Sequence, residues 1–184
     1  MAAVHVSMLR GINVGRQKRV RMDDLRGLYE GLGFTRVTTY VQSGNVVFAS
    51  AASEEESALG ERIEAAIAVT LGVSVRVIVR SSDELQRIVD NNPFLKRGED
   101  PASLHVTFLA GAPERAGLDE VPSPNADEDE FALAGREAFI VCRHGYGRTK
   151  LNTALRGARR RSVGATPGGN RHRPSTPPAV HALP

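Results

Sequence analysis

The 184-residue sequence has one cysteine, Cys142, so an intramolecular disulfide is excluded, in agreement with a reducing cytoplasm. Cys142 ends the apolar run Ala138-Phe139-Ile140-Val141, and a buried structural thiol is expected rather than a nucleophile, which needs exposure and an electropositive setting. No apolar run approaches the roughly 20 residues of a membrane span. The first ten residues lack a basic start, a long apolar segment and a cleavage site, and read as a first strand rather than a signal peptide. Histidines 5, 105, 144, 172 and 181 are scattered without ligand spacing to Cys or carboxylates, so neither metal nor cofactor is expected. A Walker-type Gly-x-x-x-x-Gly-Lys-Ser/Thr loop and a dinucleotide fingerprint are both missing. Acid is missing from the end of the chain. Residues 138–184 hold nine Lys or Arg and no Asp or Glu, a net of +9, whereas residues 1–137 carry a net of −6. The body is mildly acidic, so the overall +3 says little for nucleic-acid binding by the body.

What is present is organised around Thr38-Thr39-Tyr40-Val41-Gln42-Ser43-Gly44-Asn45-Val46-Val47-Phe48, two strands about a tight turn. Before it, 4–9 reads as a buried strand. A helix opening near Met22 carries Leu25, Leu28, Tyr29 and Leu32 on one face, and Gly33 ends it with Phe34 folding back. After the hairpin, Ser53-Glu54-Glu55-Glu56 reads as a capping box for a second helix that Gly72 stops. Alternating valines at 73, 75, 77 and 79 make a fourth strand. The order βαββαβ predicts an α+β ferredoxin-like subdomain over 1–80.

The second half repeats such elements less regularly. A helix capped at Ser81-Ser82-Asp83-Glu84 is ended by Asn91-Asn92-Pro93, a strand spans 104–109, and 131–133 with 138–142 form a hairpin. A short helix is expected over 113–118, a loop at 121–125 and a helix near Thr149; Asp127-Glu128-Asp129-Glu130 reads as a solvated loop. This predicts a second ferredoxin-like subdomain over 81–158 that is either incomplete or shares elements with the first. Residues 159–184 read as a disordered basic tail.

Right-handed crossovers place strand three antiparallel between strands one and two, so the loop 10–21 meets the turn 42–45 at one sheet edge. Arg10, Asn13, Gln42, Ser43, Gly44 and Asn45 thus form a candidate site for a small anionic ligand, with Arg16 and Lys18 nearby. Glycines there admit backbone N–H groups, and guanidinium groups pair with phosphate or carboxylate. Ordinary turn chemistry, with Asn13 closing the loop, is the competing reading. A second basic cluster, His144 to Lys150, supplies Arg148 and Lys150 as a further anion contact. Nucleic-acid binding through general basic contacts and a purely structural or interaction role are the alternatives. Strand one has no aromatic and strand three has only Phe48, which disfavours RNA recognition by base stacking. No reaction and no oligomeric state can be read.

Three stretches together, Leu9-Arg10-Gly11-Ile12-Asn13-Val14-Gly15, Thr39 through Phe48, and Gly145-Tyr146-Gly147-Arg148-Thr149-Lys150-Leu151, resemble the bacterial family catalogued as domain of unknown function 1697. The resemblance covers residues 4–155 and implies two ferredoxin-like subdomains. It brings no activity, cofactor or catalytic residue. Past residue 155 the sequence departs from the family's pattern into acid-free Arg-, Pro- and Gly-rich residues, which is what GC-rich codons give out of frame. A frameshift near residues 155–160 is therefore expected, and resequencing the locus tests it.

Overall fold

A computed structural model describes residues 2–10, 12–13, 19–40, 44–51, 54–109, 129–143, 145 and, by backbone alone, 179–181. The chain divides into two compact units, Met1–Ile88 and Val89–Pro184.

In the first unit, β1 (Ala2–Leu9), α1 (Met22–Gly31), β2 (Thr35–Tyr40), β3 (Asn45–Ala51), α2 (Glu56–Leu71) and β4 (Val77–Ser81) follow in turn. The sheet order is β2-β3-β1-β4, with every neighbouring pair antiparallel. β1 and β2 are thus parallel with β3 between them. The apolar stripes of the helices close over the sheet: Leu25, Leu28 and Tyr29 of α1 and Leu59, Ile63 and Ile67 of α2 join Val46, Phe48, Val77 and Val79 in one core. Tyr29 is fully buried because its hydroxyl has a partner. Ser7 Oγ lies 2.8 Å from it and donates onward to the Val46 carbonyl, so the tyrosine donates to the serine. Gly33 ends α1 as expected. Its N–H bonds the Glu30 carbonyl, the Phe34 N–H bonds that of Tyr29, and the Phe34 ring packs on Tyr29.

Two boundaries differ from the sequence reading. β4 begins at Val77, although the valine alternation starts at Val73. A strand needs a partner, and β1 pairs Leu9 with Val77; beyond that pair the Arg10 N–H donates to the Arg76 carbonyl, at 2.9 Å. α2 opens at Glu56 with Glu55 as its N-terminal flanking residue and no side-chain cap from Glu55, while Ser53 of the expected capping box lies outside the described residues. Glu56 instead reaches β4, as described below. The other expected cap holds: Ser81 Oγ accepts from the Glu84 N–H at 3.2 Å, opening α3 (Ser82–Asp90).

In the second unit, α4 (Pro93–Lys96), a 3-10 turn (Pro101–Ser103), β5 (Leu104–Phe108), β6 (Glu130–Ala134), β7 (Glu137–Val141) and β8 (Ala179–His181) give the antiparallel order β6-β7-β5-β8. The hairpin β6–β7 is the expected one. α4 was not expected: Asn92 reads as the end of α3, yet its Oδ1 accepts from the N–H groups of Phe94 and Leu95, with Pro93 in the first turn. Phe94, Leu104, Phe108, Phe139, Ile140 and Val141 are buried, and so is Cys142. Of the tail read as disordered, Ala179–His181 forms an edge strand on β5. The helices expected at 113–118 and near Thr149, and the loop at 121–125, lie outside the described residues. No helix of the described residues is long and apolar enough to cross a membrane.

Candidate functional site

β1 delivers Arg10 to the sheet edge, and the chain turns at Ile12 and Asn13. Ile12 is buried in the core, so it anchors the loop from inside. Asn13 adopts φ +58°, a conformation its short amide tolerates better than most side chains. Its amide then closes the loop. Nδ2 donates to the Val20 carbonyl at 2.9 Å, and Oδ1 accepts from the Val20 N–H at 2.7 Å. The buried Val20 is thereby fixed, and one donor and the acceptor of Asn13 are used in the loop itself. Asn13→Gly keeps the positive φ but loses the clamp. It should cost about 1 kcal/mol, the usual net worth of such bonds, read as a lower urea midpoint.

The hairpin tip comes to this loop from the other side. Gly44 (φ +78°) is buried, and a Cβ there would collide with Ile12 Cγ2 and lie 3.3 Å from Leu9 Cβ. Asn45 follows as the first residue of β3, paired with Tyr40. Arg10, Asn13, Gly44 and Asn45 therefore gather at one edge of the first sheet. Arg10, Asn13 and Asn45 are half-buried, and Arg19 and Arg21 are exposed on the same loop. Gln42, Ser43, Arg16, Lys18, Arg148 and Lys150 lie outside the described residues. Among the described residues no group of three or more His, Cys, Asp and Glu could hold a metal ion.

Three polar arrangements stand apart from this edge; the first, His5, is the structural histidine inside a strand that the sequence suggests, and the other two escaped the sequence reading. His5 is 4% exposed, and neither ring nitrogen has a hydrogen-bond partner among the described residues. It stacks on Phe48 at 5.6 Å, and burial lowers its pKa, with Glu54 pulling the other way. The second arrangement closes the outer edge of β4. Glu56 and Glu64 stand eight residues apart on α2, about 12 Å at helical rise. Val77 and Ser81 stand four apart in β4, about 13 Å at strand rise. The match lets Glu64 Oε1 accept from the Val77 N–H at 2.8 Å and Glu56 Oε1 from the Ser81 N–H at 2.7 Å. Gly60, midway between, allows the close approach, since a Cβ there would lie 3.2 Å from the Val77 carbonyl oxygen. Each second oxygen faces an arginine: Glu64 Oε2 is 3.1 Å from Arg76 Nη1, and Glu56 Oε2 is 3.9 Å from Arg80 Nη1.

The third lies in the second unit, where Arg97 and Arg143 alternate with Glu99 and Glu130. Arg97 bonds Glu99 at 2.7 Å and Glu130 at 2.9 Å; Arg143 bonds Glu99 at 3.0 Å and also Glu130. These bonds hold both carboxyls below the usual carboxylate range, through Arg143 first for Glu99 and Arg97 first for Glu130. Asp129 Oδ1 accepts from the Arg143 N–H. Asp129 and Glu130, read as part of a solvated loop, are thus engaged. Every charge in this ring is met by its opposite, so it ties β6 to the segments around it rather than offering a site.

The family model described as "Protein of unknown function (DUF1697)" matches residues 2–139. The chain belongs to that family. The match takes in all but the first residue of the first unit of this DUF1697 protein and ends before Gly145–Leu151, the last of the three stretches that carried the resemblance. The fold is similar to the structure of the conserved bacterial protein SP0830 from Streptococcus pneumoniae, at 24% identity over 77% of each chain, with a TM-score of 0.61. At that identity the likeness concerns the fold. No curated protein matches the DUF1697 chain.

Proposed function

We propose that this DUF1697 protein is built from two units of ferredoxin-like plan, the second incomplete, and that the first holds a small anionic ligand where the loop 10–21 meets the turn 42–45. The packing of Gly44 on Ile12 and Leu9 carries the reading, because it sets the hairpin tip against the basic loop. The Asn13 clamp supports it. It holds Asn13 and Val20 in place before binding, and groups held in advance lose less entropy on taking a ligand than free ones. Arg10 supplies the charge, Asn45 an amide, and Gly44 a place for a backbone N–H to approach closely. Gln42 and Ser43 belong to the same turn by sequence. The lone buried cysteine fits action in the cytoplasm. The reading assigns binding and no reaction.

A thermal-shift screen with inorganic phosphate, nucleotides, sugar phosphates and carboxylates tests it, run on wild type, Arg10→Ala and Asn45→Ala. A ligand at one hundred times its Kd stabilises the fold by about 2.7 kcal/mol. The expected result is an upward shift in wild type that is lost in both variants. A shift unchanged in both would reject these residues as the site.

A further inference from the structure

The strand registers of the first sheet sort the site residues by face. Val46 lies in the core under the helices, and its partners Ser7 on β1 and Thr39 on β2 share that side. Side chains alternate along a strand, so Asn45 and its partner Tyr40 lie on the side away from the helices. Leu9 belongs to the core, and the Arg10 N–H bond to Arg76 carries the β1 ladder one residue further. Arg10 therefore falls on the side of Tyr40 and Asn45. An aromatic ring, an amide and a guanidinium thus follow one another across β2, β3 and the end of β1. Two strand spacings of about 4.8 Å and two residue rises of about 3.3 Å set the backbones of Tyr40 and Arg10 about 12 Å apart.

Exposure rises towards β2. Tyr40 is 44% exposed, Arg10 and Asn45 are half-buried, and Met8, the residue before Leu9 on this side, is buried. The face is therefore reached from the Tyr40 side. Its charge suits an anion. The bond between Arg10 and Arg76 sets two arginines opposite each other, and like charges so placed repel. Glu64 Oε2 meets Arg76 at 3.1 Å, and an anion at Arg10 gives the pair a further negative partner.

We propose that Tyr40 is the base platform of this site and that its ligand is a single nucleoside phosphate. The ring stacks on the nucleobase, Asn45 meets the polar groups between, and Arg10 takes the phosphate. The inference rests on the anion site proposed above and names its ligand class. A carboxylate or a sugar phosphate would engage Arg10 and Asn45 and gain nothing from Tyr40. The aromatics argue for one base rather than a strand of them. Proteins that hold single-stranded nucleic acid stack successive bases on several rings, commonly on the central strands. Here Phe48 of β3 is turned into the core against Phe34, and His5 of β1 stacks on Phe48 on that same core side.

Calorimetry on the full chain tests this with adenosine 5′-monophosphate, ribose 5-phosphate and a short single-stranded oligonucleotide. The proteins are wild type, Tyr40→Phe, Tyr40→Thr and Arg10→Ala. In wild type the nucleotide is expected to bind about tenfold or more tighter than ribose 5-phosphate, the scale of one base–aromatic stack. Tyr40→Phe should keep that advantage, and Tyr40→Thr, a strand-compatible exchange, should abolish it with ribose 5-phosphate unaffected. Arg10→Ala should weaken both. Equal affinity for the two phosphates in wild type, lost in Arg10→Ala, would overturn the nucleotide and leave the anion site standing. Binding of neither phosphate, or binding of both unchanged in Arg10→Ala, would overturn the anion site and this inference with it. An oligonucleotide that outcompetes the mononucleotide at equal nucleotide concentration would overturn the single-base ligand in favour of nucleic acid.

Discussion

Gly44→Ala should destabilise the first unit by about 2–5 kcal/mol. Two costs combine. At φ +78° a side chain meets the following carbonyl, for about 1–2 kcal/mol. The new Cβ also falls on the Ile12 side chain, and overpacking a filled position costs about 1–3 kcal/mol. Gly33→Ala separates the two. It has φ +84° and nothing within 4 Å of a Cβ, so it should show the conformational cost alone. Urea unfolding measures both variants, with the slope unchanged if only stability is affected. Equal losses at 33 and 44 would mean that the hairpin tip does not press on Ile12, and the case for a shared edge would fall with it.

How much of this was legible depends on how far apart in sequence the partners lie. The face of Leu25, Leu28 and Tyr29, the Gly33–Phe34 stop and the turn at Gly44 are set by residues within one or two turns of each other, and each could be read from local pattern. The juxtaposition of residue 12 with residue 44 is non-local. It followed all the same, because the handedness of crossovers leaves few topologies. The Glu56–Ser81 bond spans 25 residues and had no such rule behind it. Glu56 looked like the close of a capping box, and Glu84 like the close of another, because Ser-x-x-Glu is the same string whether its glutamate turns back on its own helix or out to a neighbour. One signal was available. Arg80 directly follows the apolar run Val77-Ile78-Val79 within the same strand, and a buried arginine needs carboxylates near it. Asn13 shows the reverse limit. Its residue type fits ligand contact and loop closure alike, and only the two bonds to Val20 show that it closes the loop.

His5→Phe should stabilise the protein, by about 1–3 kcal/mol near pH 6, because it replaces a buried ring with two unsatisfied nitrogens by an apolar ring of similar shape. The site already suits an aromatic ring. His5 stacks on Phe48 at an interplanar angle of 28°, and Phe48 lies 4.4 Å from Phe34, whose ring has the Arg62 guanidinium 4.6 Å above it. The gain should depend on pH in a definite direction. Burial, only partly opposed by Glu54, holds the imidazole below its ordinary pKa of 6.5. As pH falls through that value the unfolded chain takes up a proton that the folded chain refuses, so wild type loses stability towards acid. Phenylalanine has no proton to take up, so its advantage should widen below pH 6.5 and narrow to a constant above it. Thermal or urea unfolding of both proteins across pH 5 to 8 measures that divergence. A variant less stable than wild type at every pH would show that the imidazole nitrogens are satisfied, with an ordered water as the natural partner, and that His5 belongs to a polar network rather than to the aromatic core.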